Sequence, residues 1–222
     1  MTVLLVLAVF ALFIAIDYIR TSRRPAPAVR PQPQLATKPP VLQDVVAGFR
    51  VAPNLFYHPG HTWAAKETGD LVRVGLDDFA ARLAGKLQGV ALPQRGRWVT
   101  QGQKAFALNH DGATAELVSP IEGTVVDVNE AVLRDPELAR RDPYGDGWLM
   151  LVSAPEAKTK FRNLLSGPLA KLWTEDAVSH LYQQTPGVSA PAMADGGLAV
   201  DSTTAGLAPA AWERLAREFF LT

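Results

Sequence analysis

Apolar positions along the chain change their spacing twice, and each spacing predicts a different kind of element. Residues 2–16 carry no charged side chain, and the apolar run extends to Ile19 with Asp17 as its only ionised interruption. At about 1.5 Å per helical residue the run spans roughly 27 Å, close to the roughly 30 Å hydrocarbon core of a bilayer. Residues 1–19 are therefore predicted to form a transmembrane helix.

The charges around this run predict whether it is cleaved and how it is oriented in the membrane. A cleaved signal peptide is the alternative, but it needs a basic start and a closing pattern of small residues, and neither is present. Four arginines follow the run and none precedes it: Arg20, Arg23, Arg24 and Arg30. Because basic residues stay on the cytoplasmic side, we expect a single-pass protein of the cytoplasmic membrane with its folded part in the cytoplasm.

Residues 20–44 are rich in proline and poor in large apolar side chains. Such a segment cannot bury enough surface to fold, and it reads as a semi-extended, proline-rich linker. A plain spacer is preferred to a specific ligand for proline-binding modules.

Residues 45–155 alternate short apolar runs with turn signals, which is typical of a small β-sandwich or flattened barrel. The predicted strands are Leu71–Leu76, Gly89–Leu92, Trp98–Val99, Lys104–Leu108, Glu116–Val118, Gly123–Val128 and Trp148–Val152. Two short helices interrupt them. Asp77 or Asp78 can cap a helix that runs through Leu83, and Asp135 can cap one that begins with Pro136.

One hairpin has a strong local signal. The dipeptide Asp111-Gly112 separates the run Lys104–Asn109 from the run Thr114–Ser119. Both central residues of a type I′ turn need positive φ, which glycine adopts without steric penalty. The sequence therefore predicts a tight hairpin with Asp111 and Gly112 at its tip.

Residues 156–222 change to helical periodicity and form a predicted C-terminal extension. The apolar face of the first helix is assigned to Leu165, Leu169, Leu172, Trp173, Ala177 and Leu181, and that of the second to Trp212, Leu215, Ala216, Phe219 and Phe220. Residues 185–208 between them read as a loop. The helices either pack onto the sandwich or bind a partner, and packing is favoured because it covers both tryptophans.

Composition excludes several kinds of chemistry. The chain has 22 basic and 22 acidic residues, so its zero formal net charge offers no field that would attract nucleic acid. It has no cysteine, which excludes disulfides and thiolate sites. His58 and His61 lack nearby acidic or cysteine partners, and Asp142–Gly147 lacks the closing glutamate of a calcium loop. We therefore expect no metal site and no catalytic site, and the chain is not predicted to be an enzyme.

Several motifs together resemble one known family. They are Tyr57–Trp63, Val74–Ala80, Val90–Pro93, Ser119–Ala131 and Asp142–Leu149. From Tyr57 to Val152 the chain resembles the glycine cleavage system H protein, a carrier whose lipoyl arm shuttles an aminomethyl group between enzymes. The resemblance implies a mainly-β barrel sandwich of the H-protein type, related to lipoyl and biotinyl domains.

The resemblance also singles out the hairpin. Counted back from Ser119-Pro120, the lipoyl-lysine position of the family falls on Gly112, within the hairpin Asn109, His110, Asp111, Gly112 and Ala113. Glycine has no amine to acylate, and the nearest lysine, Lys104, lies at the start of the incoming strand. We therefore expect no lipoyl group and no other cofactor.

These observations favour a membrane-tethered, non-lipoylated H-protein-like subunit that binds or assembles a complex through an unidentified protein partner. The alternative is a lipoyl carrier of the glycine cleavage system or a related lipoate-dependent pathway, with the modification at another lysine.

Overall fold

The computed structural model describes residues 43–184 and 209–221. The described strands are β1 (Asp44–Val46), β2 (Phe49–Val51), β3 (Phe56–His58), β4 (Thr62–Lys66), β5 (Leu71–Leu76), β6 (Gly89–Ala91), β7 (Trp98–Val99), β8 (Lys104–His110), β9 (Ala113–Val118), β10 (Gly123–Val128) and β11 (Met150–Ser153). The described helices are α1 (Asp78–Leu83), α2 (Glu130–Arg134), α3 (Glu137–Arg141), α4 (Ala157–Lys160), α5 (Gly167–Gln184) and α6 (Pro209–Phe220), and a 3₁₀ turn covers Phe161–Asn163.

Two antiparallel sheets form the body of the sandwich. The larger has the order β3-β4-β5-β11-β10-β7, and the smaller has the order β6-β8-β9. A separate hairpin pairs β1 with β2. The expectation of a mainly-β sandwich is confirmed.

The membrane prediction concerns a part of the chain that the structure does not describe. The predicted helix over residues 1–19 and the linker up to residue 42 lie outside the described residues. None of the helices within the described ranges is both long and apolar enough to cross a bilayer.

The main core lies between the two sheets and is built from fully buried aliphatic side chains. Val74, Leu76, Leu108, Leu117, Ile121 and Leu149 are among them. A second apolar cluster lies beneath the β1–β2 hairpin and includes Trp63, Tyr57, Tyr144 and Ala170. The Trp63 ring lies directly over Gly75, because a Cβ at that glycine would come within 2.4 Å of Trp63 Cζ2. Strand β5 therefore needs a glycine where the indole packs.

A buried ionic cluster joins the β1–β2 hairpin to α1. The Asp78 carboxylate accepts from Arg50 at 2.6 Å and from Arg82 at 2.9 Å. The Tyr144 hydroxyl donates to the Arg50 carbonyl at 2.7 Å and accepts from the Asp78 N–H at 3.0 Å. Burial raises the pKa of Tyr144, so its hydroxyl remains a donor. These paired contacts satisfy charges that would otherwise destabilise the interior.

The predicted helix caps were right at α1 and wrong at α3. Asp77 caps α1, since its carboxylate accepts from the Ala80 N–H at 2.7 Å. At α3 the cap position is Pro136, with no side-chain hydrogen bond, and the Asp135 carboxylate instead pairs with Arg141 at 2.6 Å. The carboxylate that was expected to cap the helix therefore pairs with an arginine six residues further along the chain, at the end of α3.

The predicted apolar face of α5 was wrong in its first half. Leu169 and Leu172 are 63% and 61% exposed. The helix instead buries Ala170, Thr174, Ala177, Val178 and Leu181. Small side chains such as Ala170 and Ala177 let a helix approach a neighbouring surface closely, so the face with less apolar area is the one that packs.

Candidate functional site

The tip of the β8–β9 hairpin has the turn geometry that its sequence predicts. His110 pairs with Ala113, which leaves Asp111 and Gly112 as a two-residue connection. Their φ values are +44° and +78°, the positive values that a type I′ turn requires. No atom lies within 4 Å of the position that a Cβ on Gly112 would occupy. The tip is therefore open at residue 112, and it carries no side chain there.

The loop before β6 supports the tip from one side. Gln88 donates from its amide to Asp111 Oδ1 at 3.1 Å and from its backbone N–H to the Asn109 carbonyl at 2.9 Å. The His110 ring contacts the Lys86 carbonyl through Nδ1 at 3.0 Å. Since a carbonyl only accepts, Nδ1 carries the proton. Exposed Lys86 therefore lies in the loop bound to the tip.

Helix α6 supports the hairpin from another side. The indole of Trp212 stacks on the His110 ring, with their centroids 5.0 Å apart. Its Nε1 donates to the Leu83 carbonyl at the end of α1, at 2.9 Å. Trp212 is only 1% exposed. The C-terminal extension therefore packs onto the sandwich, as the favoured alternative expected, and it packs beside the hairpin.

The outward face of the hairpin is polar. Lys104 forms an ion pair with Glu116 across the strands, and Thr114 donates to Asn109 Oδ1 at 3.0 Å. A shallow groove of about 230 Å³ lies between this face and α6, where Arg217 contributes to its wall. The charges along the groove already have partners, because Arg217 contacts Glu213 at 3.5 Å. The groove thus presents a mixed-charge surface next to the tip.

The two histidines of the Tyr57–Trp63 motif have separate structural environments. His58 Nδ1 accepts from the Gly60 N–H at 3.0 Å. Burial, reinforced by the nearby His61, lowers the pKa of His58. His61 Nδ1 lies 2.7 Å from Asp77, and its ring stacks on Phe79 at 4.1 Å. Among the described residues, no group of three potential ligands is placed to hold a metal ion.

The Asp142–Gly147 segment is a turn, as predicted. Asp142 Oδ2 accepts from the Asp146 N–H at 2.7 Å, and the Gly147 N–H donates to the Asp142 carbonyl at 2.9 Å. The same segment receives the Trp63 indole N–H on the Pro143 carbonyl at 3.1 Å. Its acceptors thus serve the turn and the core.

The residues at the tip do not fit a lipoyl group. Acylation needs an amine at an exposed position, and the segment from residue 105 to residue 118 contains no lysine. Lys104 lies at the far end of β8 and is engaged by Glu116. Only Lys86 combines an exposed side chain with a backbone contact to the tip among the contacts described above.

Sequence reasoning located the hairpin but missed its supports. Lys86, Gln88 and Trp212 are distant from residue 112 in sequence and reach the hairpin only through tertiary packing. The sequence gives one local signal for Trp212, its position on the apolar face of a predicted helix. That signal indicates burial, but it does not indicate which surface covers the side chain.

Comparison with known proteins gives consistent matches over this sandwich. The family model described as glycine cleavage H-protein matches residues 55–176. A probable glycine cleavage system H protein of Aeropyrum pernix is 38% identical over 128 residues, which cover 57% of this chain and 88% of the relative. The glycine cleavage system H protein of Thermobifida fusca is 41% identical over 106 residues, covering 48% and 83%.

Solved structures are also similar to the chain. One of them is a glycine cleavage system H protein from Mycobacterium marinum, with 33% sequence identity and a TM-score of 0.44. The match covers 47% of this chain and 86% of that structure. Helix α6 lies beyond the residues that the family model matches.

Proposed function

Because the chain belongs to the glycine cleavage H-protein family, we propose that it is a membrane-tethered, non-lipoylated member that binds or assembles a protein complex. The observation that carries the proposal is the hairpin tip. Asp111 and Gly112 form its two-residue turn, and neither has an amine. A surface without the acylated group can still recognise a protein by shape.

The supports of the hairpin favour a binding role. Gln88 and Trp212 hold the hairpin from two sides, so the tip is pre-organised even without a carrier lysine. A preformed surface loses little conformational entropy when a partner binds. The apolar run that extends to Ile19, with Asp17 as its only ionised residue, supports the tether, since as a helix it would span roughly 27 Å of the bilayer.

Intact-mass spectrometry tests the absence of a lipoyl group. The full chain is co-expressed with a lipoate ligase and supplied with lipoate, together with a Gly112→Lys variant as the matched control. We expect the native chain to keep its unmodified mass. We expect the variant to gain a lipoyl adduct if the surrounding surface still suits the ligase. A lipoyl adduct on any lysine of the native chain would refute the proposal.

Lys86 favours a second candidate function, that of a lipoyl carrier with a displaced amine. Its side chain is exposed, and its carbonyl contacts the His110 ring at the hairpin. Peptide mapping of the same samples separates the two functions. A displaced carrier predicts an adduct on Lys86 that disappears in Lys86→Arg, whereas a binding subunit predicts no adduct there.

A further inference from the structure

Helix α6 packs against the sandwich with regularly spaced anchor residues. The anchors lie at relative positions 0, 3, 4, 7 and 8 of one face, and they are Trp212, Leu215, Ala216, Phe219 and Phe220. All five are buried. Arg214 and Arg217 on the other face are exposed. This arrangement is typical of an amphipathic helix that binds in an apolar groove.

The groove that receives α6 belongs to the sandwich. One wall is α1, where Phe79 lies 5.1 Å from the Phe219 ring and Leu83 accepts from Trp212. Another wall is the turn between β3 and β4, where a Cβ on Gly60 would lie 3.0 Å from the Phe220 carbonyl. Strand β9 and His110 complete the groove on the hairpin side.

The groove and its occupant have different relations to the family. The wall residues from Gly60 to Val118 all lie within the matched span, residues 55–176. Helix α6 lies outside that span. The span that matches the family therefore provides an apolar groove beside the hairpin, and a helix outside that span fills it.

The segment that joins α5 to α6 is long, so α6 is not held in the groove by a short covalent link. The end of α5 already contacts α6, since His180 and Gln184 lie 3.2 Å and 3.3 Å from Glu218. Yet residues 185–208 separate the two helices in sequence. At up to about 3.3–3.6 Å per residue, a connection of 24 residues can reach roughly 80 Å when fully extended. The connection is thus long enough for α6 to leave and rebind without unfolding α5.

We infer that the groove between α1, the β3–β4 turn and β9 is a helix-binding surface, which α6 occupies in cis and which an amphipathic helix of a protein partner occupies by displacing α6. The partner helix needs a large aromatic residue at the Trp212 position, a small residue at the Ala216 position and aromatics at the last two. This surface is distinct from the hairpin tip, and the inference does not depend on whether any lysine is lipoylated.

The covalent connection of α6 to the sandwich restricts which partners can occupy the groove. Because residues 185–208 join α6 to α5 covalently, α6 binds the groove intramolecularly, and its effective concentration there is up to the order of millimolar. A free helix that binds only as well as α6 therefore cannot replace it at cellular concentrations. A successful partner binds the groove more tightly, or it also engages a second surface such as the hairpin tip.

Peptide exchange tests the inference in the full chain. A protease site is substituted into residues 185–208, the purified protein is cut there, and a fluorescent peptide of residues 209–222 is added. We expect the labelled peptide to replace α6, with rising anisotropy, and to be competed off by unlabelled peptide. A peptide carrying Trp212→Ala and Phe219→Ala should bind at least tenfold more weakly, and one carrying Arg217→Ala should bind normally.

Two outcomes would overturn the inference. One is a cut protein that keeps its near-ultraviolet circular dichroism but never exchanges the peptide. The other is a cut protein whose sandwich unfolds when α6 dissociates, because α6 would then be an integral part of the core. Neither outcome reports whether a lysine is lipoylated, so the peptide-exchange result and the mass-spectrometry result are independent.

Discussion

At the residue scale, position 112 shows how one backbone angle limits chemistry. Gly112 has a φ of +78°, a value that L side chains adopt only with strain. Space is not the limit, since a Cβ there would meet no atom within 4 Å. The absence of an amine at the tip is therefore coupled to a turn type that itself favours glycine.

Gly112→Ala should lower the free energy of unfolding by about 1 kcal/mol, because alanine is strained at positive φ and gains no contact there. Urea denaturation measures the change. The control Thr114→Ala lies on the exposed face of β9, and its effect should stay below about 0.5 kcal/mol. Equal effects of the two variants would show that the turn angle is not the cause.

His58 should make the protein less stable in mild acid. Burial and His61 lower the pKa of His58 in the folded state, below the ordinary value of 6.5. Its contribution to stability is therefore complete above pH 6.5 and is lost as the pH falls through the folded-state pKa. Protonation also removes the acceptor that receives the Gly60 N–H.

Urea denaturation at pH 7.5 and pH 5.5 checks this expectation. The native protein should lose more stability between the two pH values than a His58→Gln variant does. The remaining histidines are common to both proteins, so the difference isolates His58. An identical pH dependence would contradict the assignment.

At the scale of elements, local patterns predicted the strands from β5 onward well, missed the strands β1 to β4, and predicted helix packing poorly. The bounds of β5, β7 and β10 follow from short apolar runs, and the β8–β9 turn follows from Asp111-Gly112. The orientation of α5 could not be predicted in this way. Leu169 and Leu172 are larger and more hydrophobic than alanine, so the sequence pattern assigns them to the buried face. The sandwich nevertheless packs against the face that carries the alanines.

Trp212→Ala should release α6 while the sheets stay folded. Removing a buried tryptophan lowers the free energy of packing by about 3–5 kcal/mol. Hydrogen exchange should show lost protection across α6 and retained protection in β4, β5 and β11. Leu172→Ala is the control, since that leucine is 61% exposed and its truncation should leave the α6 amides protected. Unchanged protection of α6 in Trp212→Ala would contradict the assigned role of the indole.

At the scale of the whole molecule, the site combines parts that the sequence separates widely. The hairpin was identified from a dipeptide and a motif register, both of which are local. Its support by the Lys86–Gln88 loop and by Trp212 depends on how the sheets and helices meet. Hydrophobic periodicity indicates that one face of a helix is buried. The shapes of the surrounding surfaces decide which of them that face packs against.

The predicted topology belongs to this scale. A fluorescent protein that matures in the cytoplasm, fused after Thr222, should be active, and alkaline phosphatase at the same position should be inactive. The reason is the cluster of arginines that follows the apolar segment and is retained on the cytoplasmic side. The reverse pattern would place the folded part on the side of the membrane opposite to the cytoplasm. Deletion of residues 2–19 should move the protein from the membrane fraction to the supernatant.

The position of α6 in the chain also has a consequence for biosynthesis. The sandwich is complete only when β11, which ends at Ser153, has been made, whereas the helix that fills its groove begins at Pro209. At about 5–20 residues per second, roughly 3–11 seconds of translation separate the two. During that interval the nascent sandwich displays an apolar cleft that its own helix has not yet reached. A chaperone, or a partner made nearby, would have its earliest access to the cleft on the ribosome.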